Sequence, residues 1–260
     1  MDYWLLVSMS HENETTVRSV DRALSIVEQL KILEQAGVTE LAEATDIPPS
    51  TVHNYLQTFK QREYVKKSGS KYELANRFIH IGDFAKHRLP IYRVGKPNLV
   101  WLADETGQTA NLVIEEYNRA IYLMSENRQQ NLRNYSHIRR REYLHTTAVG
   151  KAILMMMSEE EIDDVIESEG LVEQASNTIT SRDELLEDIE HARDRGYAIN
   201  DEENTDGIFA VGAPIENPDG SYAAVSVSGL VSRHSLEDIH QTLAPRVLEA
   251  AKAIEVELRT

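Results

Sequence analysis

The stretch that most constrains this chain runs from Thr39 to Phe59, TELAEATDIPPSTVHNYLQTF. Its apolar residues fall into two short helical sets with a corner between them. Leu41 and Ala42 lie on the inner face of the first helix, and Ile47 plugs the corner. Val52, Leu56 and Phe59 recur at helical spacing on the second. Asp46 occupies the turn. Pro49 suits the first position of the second helix, where the N–H it lacks would be unpaired anyway. Ser50, Thr51, His53, Asn54, Gln57 and Lys60 are left pointing outward.

A plain helical hairpin with a solvated polar face is the bland reading of that pattern. Two features weigh against it. The outward row is polar but nearly uncharged, without the Lys–Glu pairs of an ordinary solvated face. The next segment, Arg62 to Leu74, reads as a β-hairpin with Gly69 at its tip and Lys66, Lys67 and Lys71 beside it. A helix-turn-helix followed by a basic hairpin is a winged helix, whose outward row suits base edges in a DNA major groove. Thr39, at the head of the first helix, and the three hairpin lysines, facing the phosphate backbone, complete the candidate DNA contacts.

The net charge of −16 looks wrong for such a partner. The acidity, however, is not evenly spread: Thr15 to His80 holds 9 basic against 8 acidic residues. The rest of the chain carries the negative charge. Only 9 of the 27 basic residues are lysine. An acidic, lysine-poor surface fits a salty cytoplasm, where repulsion between carboxylates is screened within about 3 Å at 1 M salt; an ordinary acidic bacterial protein is the alternative. There is no cysteine, which excludes a disulfide framework and a Cys-ligated zinc site. No apolar run approaches the roughly 20 residues of a membrane span. Trp4 to Val7 is too short for a signal-peptide core, so a cytoplasmic protein is expected, with translation starting at Met1 or Met9.

Thr16 to Gln35 reads as a helix with Val17, Val20, Leu24, Val27 and Leu30 turned toward the helix-turn-helix. Phe78 to Leu89 reads as a connecting helix with Phe78, Ile81, Phe84 and Ala85 on one face, packed on its own domain or paired with a second subunit. The expected division is a loose N-terminus at 1–14, a winged helix at 15–77, a linker helix at 78–90 and a second domain at 91–260. There, strand-like runs (Ala110–Glu115, Ala120–Ser125, Arg133–Ile138, Tyr197–Ile199, Ile208–Ile215 and Tyr222–Leu230) are mixed with helices, including a closing helix at Leu236–Leu258. The fold class is α+β.

Ser226 and Ser228 stand two apart on an apolar strand, so their hydroxyls share one face of a sheet. Ligand contact and simple bonding to backbone explain them equally well. Asp201-Glu202-Glu203 has the look of a metal cluster but lacks patterned histidines, so neither a metal nor a cofactor is expected. The run Arg139-Arg140-Arg141 reads as a solvated loop. His145, Ser226 and Asp201 form an imaginable catalytic triad. No nucleophile elbow accompanies them, and no enzyme is expected.

From about Thr16 to Leu258 the chain resembles the IclR family of transcriptional regulators. The resemblance rests on Glu40-Leu41-Ala42, Ser50-Thr51-Val52-His53 and Tyr72-Glu73-Leu74. It continues in LHTTAVGKA (144–152), GYAINDEE (196–203), Gly207-Ile208, Ala213-Pro214-Ile215 and AAVSVSG (223–229). It implies a winged helix-turn-helix, a linker helix and a GAF-like mixed α/β effector-binding domain. The partners it implies are promoter double-stranded DNA, a small organic acid or sugar-derived metabolite, and further copies of the chain as a homodimer or dimer of dimers. Carried over residue by residue, the effector site comprises Ala148, Val149, Gly150, Asn200, Asp201, Ala210, Ser226 and Ser228. The family often has Gly where Asp46 stands, Asp where Asn200 stands, and in some members Cys where Ala210 stands. An architectural DNA-binding protein whose C-terminal domain only oligomerises is the alternative.

Overall fold

The computed structural model describes residues 17–127, 141–233 and 236–260. The expected strand at Arg133–Ile138, Arg139, Arg140 and the first 14 residues lie outside that range. The chain divides into two compact units that meet in sequence between Lys86 and His87.

The first unit contains α1 (Arg18–Leu33), α2 (Val38–Thr45), α3 (Pro49–Gln61), β1 (Val65–Ser68), β2 (Lys71–Leu74) and most of α4 (Arg77–His87). Its core gathers Ile26, Leu30, Leu41, Ile47, Val52, Leu56, Val65 and Tyr72. Asp46 ends α2 in the left-handed region, with φ 51° and ψ 33°; Asp is one of the few side chains that enters it without heavy strain. Strands β1 and β2 pair antiparallel around Gly69, whose φ is +62°.

Helix α1 turns inward only the C-terminal part of the face its spacing suggested: Leu30 is buried and Val27 half-buried as expected. Val17, Val20 and Leu24 are 63%, 55% and 60% exposed, while Ile26 is buried. The apolar face runs the length of the helix, and the helix-turn-helix covers only part of it. Helix α4 buries none of its residues; Ile79, Ile81 and Phe84 stand exposed, and Phe78 packs edge-on against Tyr64 at 5.2 Å between ring centres.

The second unit is built on one antiparallel sheet of β3 (Thr109–Glu116), β4 (Arg119–Glu126), β5 (Arg141–Tyr143), β6 (Ala198–Asp201), β7 (Ile208–Glu216) and β8 (Tyr222–Leu230), in the order β5-β4-β3-β8-β7-β6. Helices α5 (Pro90–Thr106) and α9 (Ala244–Leu258) cover one face. Helices α6 (Ala148–Leu154), α7 (Glu159–Glu169) and α8 (Arg182–Arg195) cover the other. Strand β8 shows the two-sided alternation: Ala223, Val225 and Val227 enter the first core, and Ala224 enters the second. The expected closing helix is interrupted. A turn at Leu236–Asp238 leads into a π-helix at Ile239–Leu243 before α9 begins. Pro245, in the first turn of α9, supplies no N–H and crowds the carbonyl four residues back, which accounts for the widened turn.

Two glycines seat helix α6. A Cβ on Gly212 of β7 would lie 2.5 Å from the Ala148 carbonyl oxygen, and one on Gly150 would lie 2.2 Å from that of Leu144. Both obstacles are backbone, so neither can swing aside. Gly150→Ala is expected to destabilise the protein by about 3 kcal/mol or more, as severe overpacking does. Gly82→Ala, on α4 with nothing within 4 Å of the added carbon, should stabilise it by about 0.5–1 kcal/mol. Urea denaturation of the two variants checks both signs.

Candidate DNA-reading helix and ligand cavity

Along α3, Ser50, His53, Asn54, Gln57 and Lys60 are exposed and Thr51 is half-buried; Thr39 is exposed on α2. The face is not loosely arranged. The Gln57 amide nitrogen lies 3.3 Å from His53 Nε2 and donates to the Tyr72 hydroxyl at 3.4 Å. Tyr72 is itself buried in the core of the winged helix, so it ties Gln57 to the hairpin. The hairpin lysines have partners within the unit. Lys66 pairs with Glu73 at 3.0 Å, Lys71 pairs with Glu40 at 3.4 Å, and Lys67 lies 5.3 Å above the Tyr72 ring. The Gly37 N–H and then Lys71 hold the Glu40 carboxyl below its ordinary range, and Lys66 does the same for Glu73. These pairs are exposed and weak enough for a phosphate to displace.

In the second unit a cavity of about 80 Å³ opens between the start of α6 and the sheet. Thr147, Ala148 and Val149 form one wall. Asn200, Ala210, Ser226 and Ser228 form the facing one, with Thr109, Asn111 and Tyr122 beside them and Asn204, Thr205 and Ile208 at one end. Strand register explains the convergence: Ser228 pairs with Thr109 and Ala210, Ser226 with Asn111 and Gly212, and Asn200 with Ala210. Asn111 donates to both serine hydroxyls at 3.4 Å and accepts from Ser125 at 2.6 Å. The serines are therefore tied to a side chain, not to backbone. Asn200 donates to the Thr146 carbonyl. Thr147 caps α6 by accepting from the Gly150 N–H at 3.0 Å.

Six of the eight residues expected at the effector site line this cavity, and two do not. Gly150 is spent on the close approach to Leu144, with its N–H turned to Thr147. Asp201 is exposed, because adjacent strand residues face opposite sides of a sheet and Asn200 takes the inward one. Thr109, Asn111 and Tyr122 escaped the sequence reading. The place of Thr109 and Asn111 depends on a pairing of β3 with β8 that joins residues more than a hundred positions apart, and Tyr122 follows from β4 pairing with β3. The imagined triad does not assemble: buried His145 bonds to the Val172 carbonyl at 3.2 Å, and Ser226 to Asn111, while Asp201 stays at the surface.

Beneath the cavity lies a second feature that the sequence reading passed over. Lys151 is 1% exposed, and its ammonium meets Glu203 at 2.7 Å and Asp188 at 2.9 Å. The Glu203 carboxyl is pushed up by burial, against the pull of Lys151, and its Oε2 is buried without a hydrogen bond. The signal was a lysine inside the apolar run AVGKAIL. This cluster joins α6, α8 and the β6–β7 loop that carries Asn204.

Residues 84–256 match the family described as bacterial transcriptional regulator IclR C-terminal, and residues 19–69 match the IclR helix-turn-helix domain. The chain belongs to the IclR family. It is 35% identical to a Halobacterium salinarum protein named "Probable HTH-type transcriptional regulator ArcR", over 94% of this chain and 95% of that one. The solved structure of the Thermotoga maritima IclR is 27% identical, with a TM-score of 0.76 over 94% of this chain and 99% of the other. An IclR homologue from Microbacterium hydrocarbonoxydans, solved in complex with 4-hydroxybenzoate, shares the fold at 18% identity, with a TM-score of 0.80 over 93% and 99% of the two chains. This IclR-family chain is thus a sequence-specific DNA-binding transcriptional regulator with an N-terminal winged helix-turn-helix and a C-terminal effector-binding domain. Its relatives are named as regulators and not as enzymes.

Two consequences of the buried charges are measurable. Lys151→Met strands two carboxylates in the interior and should cost about 3–5 kcal/mol. Burial pulls the His145 imidazole down from 6.5 to about 4. The unfolded chain therefore takes up this proton first as pH falls. The stability contribution is whole above pH 6.5 and is lost on descent to about pH 4, on the order of 3 kcal/mol. His145→Gln should flatten that part of the stability–pH curve.

Proposed function

We propose that α3 reads operator bases through Ser50, Thr51, His53, Asn54 and Gln57, with Thr39 supporting them from α2. Lys60, Lys66, Lys67 and Lys71 take the phosphates. The effector is a small polar metabolite held in the cavity between α6 and β8, among Ala148, Val149, Asn200, Ala210, Ser226 and Ser228. The observation that carries this reading is the convergence at the cavity. Segments near 148, 200, 210 and 226 meet around one hollow that also takes in Thr109, Asn111 and Tyr122.

The regulator works in the cytoplasm as a homodimer or a dimer of dimers, on catabolic genes, as repressor, activator or both. The exposed apolar residues Val17, Val20 and Leu24 on one face of α1 and Ile81 and Phe84 on one face of α4 belong to the same unit. They supply the contact between two winged helices on a two-fold operator. Effector binding and DNA binding are then linked by a coupling of about 1–3 kcal/mol.

Asn54→Ala is expected to weaken binding to the operator by about ten- to a hundredfold, the worth of one good base contact, while binding to random DNA stays the same. Equal loss on both DNAs would remove Asn54 from base reading. Ser226→Ala combined with Ser228→Ala should leave operator affinity intact and abolish the response to effector. Anisotropy titrations with labelled DNA separate these outcomes.

A further inference from the structure

Among the described residues, Gln57 is the one member of the outward row on α3 whose side chain hydrogen-bonds to another element. Its amide nitrogen donates to the Tyr72 hydroxyl on β2 at 3.4 Å and lies 3.3 Å from His53 Nε2, one turn back on α3. Tyr72 is itself held from several directions. It is 2% exposed. Its N–H donates to the Ala36 carbonyl at 2.8 Å, and its carbonyl accepts from the Ala36 N–H at 3.0 Å. Lys67 lies over its ring. The hydroxyl that meets Gln57 is therefore placed by the core of the winged helix and by the link between α1 and α2.

Packing alone does not call for that hydroxyl, since a phenylalanine ring would fill the same space. A buried tyrosine needs a partner for its oxygen, and here the partner is a side chain on the DNA-facing surface. A glutamine free on a helix surface samples many rotamers, and ordering it against a base edge costs entropy at the moment of binding. Holding the amide beforehand lowers that cost and restricts the directions in which the side chain can bond. Both contacts of the Gln57 nitrogen are long, so the expected effect is severalfold and not larger.

We propose that Tyr72 is a positioning residue for base reading: its hydroxyl sets the Gln57 amide before DNA arrives, so that the hairpin contributes to sequence preference through α3. The proposal rests on the reading of Gln57 as a base contact given above. The test is in vitro selection from a randomised duplex library with the full-length protein. Anisotropy on the selected duplex and its single-base variants then compares the wild type with Tyr72→Phe, Gln57→Ala and the double variant. Tyr72→Phe keeps the ring in the core and both backbone bonds to Ala36. It should lower discrimination about threefold at the base pair where Gln57→Ala lowers it, the worth of one neutral hydrogen bond. Other positions and random DNA should be bound as before, and in the Gln57→Ala background Tyr72→Phe should have no further effect. If Tyr72→Phe leaves that base pair unchanged, or weakens binding equally with and without Gln57, the positioning role is overturned and Gln57 stands as a base reader. If Gln57→Ala relaxes no position, base reading by Gln57 is overturned, and this inference with it.

Discussion

Helix α6 can lie on β7 only because Gly212 carries no side chain, and its first turn can fold back on Leu144 only because Gly150 carries none. Those contacts decide the rest of the second unit. They bring the capped start of the helix to the face of β7 and β8 on which Ser226 and Ser228 stand. They also drive Lys151, one turn further on, beneath the β6–β7 loop, where Glu203 and Asp188 enclose it. A buried cation with two carboxylates is a poor source of net stability but a strong constraint on geometry, since breaking it strands a charge. The loop bearing Asn204 and Thr205 is in this way fixed to the helix bearing Ala148 and Val149.

The two units solve opposite electrostatic problems. The winged helix is nearly neutral in a strongly acidic chain, and two of its hairpin lysines, Lys66 and Lys71, are balanced by Glu73 and Glu40. Affinity for DNA that depends on released counterions falls steeply with salt. A reading face made of Asn, Gln, His, Ser and Thr, with Gln57 steadied by Tyr72, relies on contacts that salt screens far less. In the effector domain, the described residues that line the cavity carry no formal charge.

Much of this was legible in the residues. The corner at Asp46 and Ile47, the Gly69 turn and the paired serines of β8 each follow from local chemistry, and each stands where that chemistry puts it. Helix α1 was legible only in part, because a periodic pattern shows that a stripe exists and not how much of it the neighbours cover. Asp201 was grouped with Asn200, although strand alternation separates them. Asn111 could not be reached at all: its role comes from lying opposite Ser226 across a long-range pairing. The π-turn before α9 has a local cause in Pro245 that the helical period concealed.

The central claim is that occupancy of the cavity and DNA reading are linked. It is tested most directly by fluorescence anisotropy with DNA from upstream of the protein's own gene, in high KCl, across a panel of small metabolites. The account predicts specific binding whose midpoint moves by about fivefold or more with one of them, the low end of ordinary coupling. Specific binding that no metabolite moves would contradict it and would describe an architectural protein whose second domain only assembles copies of the chain.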